Sequence, residues 1–260
     1  MKWTFGAAIV LSLGLGLVSA TAVKYPTAKS KSFEAGERLR YRVSYGFVDA
    51  GEAILTVNET SKKSPTGRKL YHMKGEGRSL GAFNAFYKVE DVYQSYMDQE
   101  GAFPWEFIRD VYEGGHEIKQ NYTFRQDKQT VNTGEETVKV PLGVQDMISA
   151  FYHARTLDFK NMKVDQVTTF DCFMDGELWP LKMKYKGIEN VKIRKGEFEC
   201  MKFVPVVQEG RYFKNEEDVE FWVTNDGNRI PVLVKAKIAV GSIKMHLVEW
   251  EGLKHELAKK

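Results

Sequence analysis

The chain has 260 residues, and its 38 Lys and Arg against 35 Asp and Glu leave a formal net charge of only +3. The basic residues are interspersed, apart from the Lys24–Lys31 region and the last two residues, which excludes the strongly basic surface typical of nucleic-acid-binding proteins. Aromatic residues make up 13% of the chain, a composition that favours pleated, half-buried strands.

The first 22 residues have the features of a secretory signal peptide. Lys2 precedes an apolar run from Trp3 to Val18, and small residues that fit a cleavage site follow within residues 18–22. No later segment is apolar for long enough to span a bilayer. We therefore expect an exported protein that is soluble after cleavage and has no transmembrane segment. The polar residues 23–32 are predicted to be a flexible arm.

Alternating apolar and polar residues predict antiparallel strands from residue 38 onwards. The clearest case is Arg38–Tyr45, where Leu, Tyr, Val and Tyr alternate with three Arg and a Ser. A second strand follows around Ala53–Val57. Further strands are predicted at Lys69–Gly77, Tyr87–Asp98, Trp105–Gly114, His116–Arg125 and Gln129–Val140.

One amphipathic helix is predicted, at Val144–Leu157. Its apolar face consists of Val144, Met147, Ile148, Phe151 and Tyr152. Acidic Asp146 in the first turn and basic Arg155 in the last turn suit the helix dipole. A lone helix of this length is marginal in water, so this face must pack on the sheet.

Strands resume after the helix, with strong hairpin turns at Asp175-Gly176 and at Asn225–Asn228. The polar segment Gln208–Glu217 is predicted to be a loop, and the tail 253–260 to be frayed. The strands are predicted at Val167–Met174, Glu177–Tyr185, Ile188–Ile193, Glu197–Val207, Val219–Val223, Ile230–Ala239 and Ser242–Trp250.

This pattern predicts a mainly β fold. We expect a single domain over residues 33–252, in which a large curved antiparallel β-meander wraps around the central helix 144–157. The sheet would be an open or half barrel, or two continuous half-sheets. Two domains that divide near residue 160 are the alternative.

Motifs for catalysis are weak. Residues 77–81 match G-x-S-x-G, but a nucleophile elbow needs a helix after Ser79, and Ala82–Asp98 is predicted as a strand. Ser149 and His153 lie four residues apart in the helix, which predicts no more than a surface hydrogen bond. We therefore predict no catalytic residue and a protein that is not an enzyme, with a hydrolase as the least favoured reading.

No metal site or cofactor is predicted. There is no C-x-x-C, H-E-x-x-H, P-loop or dinucleotide motif, and the five histidines are scattered. Four acidic residues could pair across strands as in glycoside hydrolases, although salt bridges with the many Lys and Arg are the favoured explanation. These residues are Asp91, Asp98, Asp110 and Glu113.

The two cysteines, Cys172 and Cys200, lie in separate predicted strands. An oxidising compartment would allow a disulfide between them. Two buried free thiols are the alternative, and the sequence does not decide between them because the pairing depends on strand geometry.

The aromatic and methionine content leaves two readings open, a filled core or a cavity that holds an apolar ligand between sheet and helix. For the second reading, the residues predicted to line a ligand groove are Met147, Ile148, Phe151, Tyr152 and Trp105.

Five segments, in order, carry a family resemblance. They are F-x-x-G-E-x-L-x-Y-x-V-x-Y at 33–45, A-G-E-A at 50–53, V-E-D at 89–91 with Pro104 and F-I-R at 107–109, Q-D-x-x-S-A-F-Y-x-x-R at 145–155, and G-x-F-x-C at 196–200 with Pro205. Together they resemble the bacterial domain of unknown function (DUF) 3108 family over roughly residues 33–250.

The resemblance implies an exported cell-envelope protein of the periplasm and carries over no catalytic residue. In fold type the chain is similar to periplasmic lipoprotein-localisation carriers, where a half-open barrel around a helix holds acyl chains. Two functions are therefore expected. One is binding of a lipid or a lipid-linked envelope component, and the other is a structural or interaction module without a cavity.

Overall fold

A computed structural model describes residues 23–28, 31–206, 218–237 and 241–260. Within these ranges the chain forms one 14-stranded sheet and two helices, and every strand pair in the sheet is antiparallel. This architecture confirms the predicted mainly β, antiparallel fold. The predicted signal peptide 1–22 and the predicted loop 208–217 lie outside the described residues.

The elements follow in chain order. They are β1 (Arg38–Tyr45), β2 (Val48–Lys63), β3 (Lys69–Ser79), α1 (Gly81–Phe86), β4 (Val89–Asp98), β5 (Pro104–Glu113), β6 (His116–Arg125), β7 (Thr130–Asn132), β8 (Thr137–Lys139), α2 (Met147–Thr156), β9 (Val167–Met174), β10 (Glu177–Ile193), β11 (Gly196–Pro205), β12 (Val219–Thr224), β13 (Pro231–Lys237) and β14 (Ser242–Glu251).

The sheet consists of two meanders joined in its middle. The order of strands is β8 to β1, followed by β14 down to β9, so β1 pairs with β14 and the sheet runs continuously through both halves of the chain. The edges are β8 and β9, and no strand pair closes them. The segment before α2 reaches the second edge, because the Gln145 amide donates to the Asp171 carbonyl (2.9 Å) and the Phe173 amide donates to the Gln145 carbonyl (2.7 Å).

Three predicted elements differ from the observed ones. The start of the segment predicted as a strand over Ala82–Asp98 forms α1, and β4 begins at Val89. The segment Gln129–Val140 is divided into β7 and β8. The predicted break at Gly187 does not end a strand, because a bulge between Tyr185 and Gly187 lets β10 continue through it.

The two terminal segments pack against the fold in the parts that the structure describes. In the predicted arm 23–32, the Ala28 amide donates to the Glu100 carbonyl (2.9 Å), and the ring of Tyr25 stacks on Phe103. In the predicted frayed tail 253–260, Leu257 packs on two core clusters and Lys259 forms a β-bridge with Phe198. Burial of apolar side chains therefore holds both terminal segments against the fold, although their polar composition predicted that they would be free.

Helix α2 begins at Met147, three residues after the predicted start, and ends one residue before the predicted end. Asp146 is its N-cap and accepts from the amides of Ile148 and Ser149, while the Ser149 hydroxyl accepts from the Asp146 amide, which completes a capping box. The most buried helix residues are Ser149, Ala150, Tyr152, Arg155 and Thr156. The predicted apolar face is therefore only partly correct, because Met147, Ile148 and Phe151 are half-buried.

Candidate functional site

A cavity of about 340 Å³ lies between α2 and the second half of the sheet. Its volume falls within the range of roughly 300–1,000 Å³ that small-molecule sites occupy. Its walls are almost entirely apolar. They are formed by Met147, Ala150, Phe151, Ala154, Arg155, Phe159, Phe170, Leu181, Met183, Phe203, Phe221, Val223, Arg229 and Pro231.

The sequence pattern of each element explains this lining. On β10 to β12, the cavity residues recur with period two, and Phe203 lies directly opposite Phe221 in the register. On α2, Ala150 and Ala154 are four residues apart and therefore share a face. Because alanine side chains are short, this face leaves space that larger side chains would fill.

Arg155 is engaged within the protein. Its guanidinium is buried, donates to both Glu37 carboxylate oxygens at 2.7 Å, and also bonds the carbonyls of Ser32 (3.2 Å) and Asn228 (3.0 Å). The rings of Phe33 and Tyr152 each lie 5.3 Å from it. This pairing fixes the end of α2 to the start of β1 and uses four of the five N–H donors of Arg155.

Arg229 lies half-buried at the cavity wall and has donors to spare. Its Nη1 donates to the main-chain carbonyls of Arg155 (3.2 Å) and Leu157, and its guanidinium lies 5.5 Å from the ring of Phe159. Among the described residues, no carboxylate pairs with it. Burial lowers the pKa of the guanidinium, although it stays positively charged at neutral pH. The nearby carboxylates of Asp158 and Asp226 oppose this shift without forming an ion pair with the guanidinium. The cavity therefore combines apolar walls with one cation whose donors are only partly used.

Only two of the five predicted groove residues line this cavity. Met147 and Phe151 do so. Ile148 instead packs toward the first half of the sheet, where Gly75 makes room for it; a Cβ at Gly75 would lie 2.9 Å from Ile148 Cδ1. Tyr152 is buried against Phe33, at 4.9 Å between ring centroids.

The fifth predicted groove residue, Trp105, also belongs to the core. It packs with Phe103 and Leu70, and its Nε1 donates to Asp98 (3.2 Å). The cavity residues that the sequence reasoning missed include Ala150, Ala154 and Arg229. The alanine spacing on α2 was a usable signal for the first two, whereas Arg229 reaches the site through a contact that no local pattern reveals.

Asp146 sits in a buried polar network at the start of α2. Its carboxylate accepts from the Ser95 hydroxyl (2.6 Å) in addition to the two capping amides. Burial raises the pKa of this carboxyl to about 6, although the hydrogen bonds from Ser95 and from the capping amides oppose the shift. The network fixes α2 to β4 and thereby sets the position of the helix face that lines the cavity.

The two cysteines are separate, buried free thiols. Cys172 on β9 lies opposite Trp179 of β10, whereas Cys200 on β11 lies opposite Glu189, so their positions are roughly 30 Å apart along that strand. A disulfide needs Cα atoms within about 7 Å. The disulfide alternative is therefore wrong for this fold, and burial raises the pKa of both thiols.

The hydroxyl groups of the two candidate serines, Ser79 and Ser149, form hydrogen bonds within the fold. Ser79 does lie between a strand and a helix, contrary to the predicted strand, but its hydroxyl donates to Asn84 (2.6 Å) and accepts from the Val89 amide (2.8 Å). Ser149 completes the helix cap, and His153 Nδ1 lies 3.1 Å from the Ala102 carbonyl oxygen. The predicted surface bond between Ser149 and His153 does not form.

Of the four acidic residues considered for glycoside hydrolysis, two lie near basic side chains and two lie near each other. Asp98 pairs with Arg68 (2.9 Å) and Asp110 lies 4.0 Å from Lys119. Asp91 instead faces Glu113, and burial together with this neighbouring carboxylate raises the pKa of Asp91 to about 6. Within the described ranges, no group of three or more His, Cys, Asp and Glu residues could hold a metal ion.

The comparisons with known proteins support the fold and give no activity. The family model described as "Protein of unknown function (DUF3108)" matches residues 40–248. No curated protein matches the chain. None of the helices in the described part of the chain has the length and hydropathy needed to cross a bilayer.

Three solved structures match this chain, each at 10% sequence identity, and the first of them shows a similar fold. A β-barrel-like protein of domain of unknown function DUF1849 from Brucella abortus gives a TM-score of 0.56, with 85% of this chain and 99% of that chain covered. A DUF1089 family protein from Pseudomonas aeruginosa gives 0.39, with coverage of 72% and 90%. A hypothetical protein from Chlamydia trachomatis also gives 0.39, with coverage of 88% and 93%.

Proposed function

This chain belongs to the DUF3108 family, and we propose that it is an exported cell-envelope protein that binds an apolar chain, such as that of a lipid, between α2 and strands β9 to β13. The cavity of about 340 Å³ carries this proposal. Each CH₂ group that enters it would contribute roughly 0.8 kcal/mol to binding. Export to the periplasm is supported by the amino-terminal apolar run and the small residues after it.

The proposed fold around the ligand is a half-open barrel curved around α2. Contacts of α2 with β3, β4 and β9 support it, because these strands belong to both halves of the sheet. Ile148 and Phe151 share the core cluster around Met73, and each also packs on a second cluster, around Phe107 for Ile148 and around Leu39 for Phe151.

We propose binding rather than catalysis because of the chemistry of the walls. The described residues that line the cavity include no hydroxyl, thiol, imidazole or carboxyl group. A nucleophile or a general base is therefore lacking where the ligand would lie. Arg155 is already paired with Glu37, whereas Arg229 forms hydrogen bonds through Nη1 alone and is the guanidinium with donors for an anion.

The preferred ligand would therefore have an anionic head beside Arg229 and an apolar tail along the sheet. A charge-assisted hydrogen bond is worth about 1.5–3 kcal/mol. We expect dodecanoate to displace an environment-sensitive apolar fluorophore from the purified protein at least tenfold more effectively than dodecanol. The variant Arg229→Gln should lose this preference, and Arg229→Lys should retain most of it.

Filling the cavity tests the site itself. Ala154→Phe should abolish binding of the fluorophore, because the added ring occupies the space beside Phe151. The matched control Ala154→Ser leaves the volume nearly unchanged and should bind normally. Equal binding by both variants would contradict the site.

Native mass spectrometry of protein isolated from its own envelope gives an independent check. Bound lipid-sized mass is the expected result. Consistently empty protein, together with no fluorophore binding, would favour the structural or interaction module instead.

A further inference from the structure

The turn between β1 and β2 exposes large apolar side chains to water. Phe47 at its tip is fully exposed, with a relative accessibility of 104%, and Val48 beside it is 61% exposed. On the neighbouring strand β14, Ile243 is also exposed. Single exposed apolar residues are common, whereas several on adjacent hairpin strands form a patch that favours contact with an apolar phase. We call Phe47, Val48 and Ile243 the apolar tip.

A basic groove of about 370 Å³ lies beside this tip, between the end of β10 and strands β13 and β14. Four of its side chains are basic, three lysines and one arginine, and two apolar residues and a histidine complete the lining. The lining residues are Lys192, Arg194, Lys235, Lys244, Ile193, Leu233 and His246.

Little negative charge neutralises this groove. Arg194 lies 3.7 Å from Asp49. Glu220 lies opposite Lys235 in the register but pairs with Lys202. Within the described ranges, no carboxylate forms an ion pair with Lys192, Lys235 or Lys244. The groove therefore keeps an excess of positive charge.

The register places the groove and the apolar tip at the same end of the sheet, with Lys244 and Ile243, successive residues of β14, on its two faces. On β1 and β14, Ser44 lies opposite Lys244 and Tyr45 lies opposite Ile243. Asp49, the partner of Arg194, follows Val48 directly in the chain. Apolar side chains that can enter a bilayer interface and cations that attract anionic head groups thus share one end of the sheet.

We infer that this end of the molecule docks on the surface of an anionic phospholipid bilayer. The apolar tip would enter the interface, and the lysines and arginine of the groove would lie over the head groups. Peripheral membrane binding of this kind needs an apolar anchor and a basic patch together. The surface is separate from the cavity beside α2, so the inference holds whether or not the cavity binds a ligand.

Vesicle cosedimentation tests the inference with the full chain. The probes are vesicles of phosphatidylglycerol and phosphatidylcholine, compared with phosphatidylcholine alone. We expect binding to the anionic vesicles only, and weaker binding at high salt. Because each cation near an anionic surface strengthens binding by about fivefold, Lys192→Gln with Lys244→Gln should weaken it roughly 25-fold. Phe47→Ser should weaken it roughly tenfold or more.

Two matched controls carry the same changes elsewhere. Phe86→Ser removes another highly exposed phenylalanine, from α1, and Lys128→Gln with Lys139→Gln removes two exposed lysines near the β8 edge. Both should bind like the unchanged protein. All proteins carry the same amino terminus, so its apolar segment contributes equally.

Three results would overturn the inference. They are equal binding to both kinds of vesicle, no difference between the tip or groove variants and their controls, and release of the protein by inorganic phosphate beyond the effect of chloride at equal ionic strength. The last result would make the groove a site for soluble phosphate instead.

Discussion

At the scale of single residues, two buried ionisable side chains fix the position of α2. Arg155 is neutralised by Glu37, a residue more than a hundred positions earlier in the chain, and Asp146 is held by Ser95 and by the helix amides. Both contacts involve residues of the segments that carry the family resemblance. These segments therefore meet in the interior, where they hold the helix, and the segment 145–155 also supplies the helix side of the cavity wall.

The buried Asp146 carboxyl makes stability depend on pH. Its pKa in the folded protein, about 6, lies above its usual value of 3.8. The fold therefore favours the protonated form, and this contribution is fully present below about pH 4 and is lost as the pH rises through about 6. Asp146→Asn keeps the helix cap and removes the titration. Relative to this variant, the wild type should lose roughly 2–3 kcal/mol of unfolding free energy between pH 4 and pH 7.

Urea unfolding at a series of pH values measures this difference. Asp91 has a raised pKa in the same range, so Asp91→Asn serves as the comparison and should retain the part of the profile that depends on Asp146. Parallel profiles for the wild type and Asp146→Asn would show that the carboxyl titrates normally.

At the scale of single elements, the carboxyl-terminal tail is part of the core. Leu257 packs in two clusters, the Ala258 amide donates to Asp226 (2.8 Å), and Asn228 donates to the His255 carbonyl (2.9 Å). Ending the chain after residue 252 should lower the unfolding free energy by about 2 kcal/mol or more.

Thermal or urea unfolding of this truncated chain measures the loss. Leu257→Ala should reproduce a large part of it, and Lys260→Ala, at the exposed end, should have little effect. An unchanged unfolding midpoint after truncation would show that the tail is free in solution.

Local patterns predicted most strands and α2 correctly, because the spacing of apolar residues, every second residue in a strand and every third or fourth in a helix, is visible within one segment. Helix α1 has no side-chain hydrogen bond at its N-cap and no charge in its first turn, so its sequence carries no helix signal. Strand β10 passes through Gly187 because its neighbour β11 accommodates a bulge there. The position of Arg229 in the cavity wall depends on the carbonyls of a distant helix end. Such features arise from tertiary contacts that a single segment does not encode.

At the scale of the whole molecule, the fold keeps the two thiols apart. Cys172 and Cys200 are 1% and 0% exposed. We expect two free thiols per chain when the unreduced protein is denatured, and almost no reaction with a thiol reagent under native conditions. A reducing agent should leave the unfolding midpoint unchanged. Detection of fewer than two thiols in the denatured protein would contradict the observed strand arrangement.

The pairing of β1 with β14 joins the first and the last of the strands that the structure describes. A nascent polypeptide emerges from the ribosome with β1 before β14, so the backbone donors and acceptors on that side of β1 stay unpaired until β14 has been made. Such a distant pairing also makes folding slow. The newly made chain therefore passes through a long aggregation-prone interval, in which a chaperone that shields β1 would raise the yield of native protein.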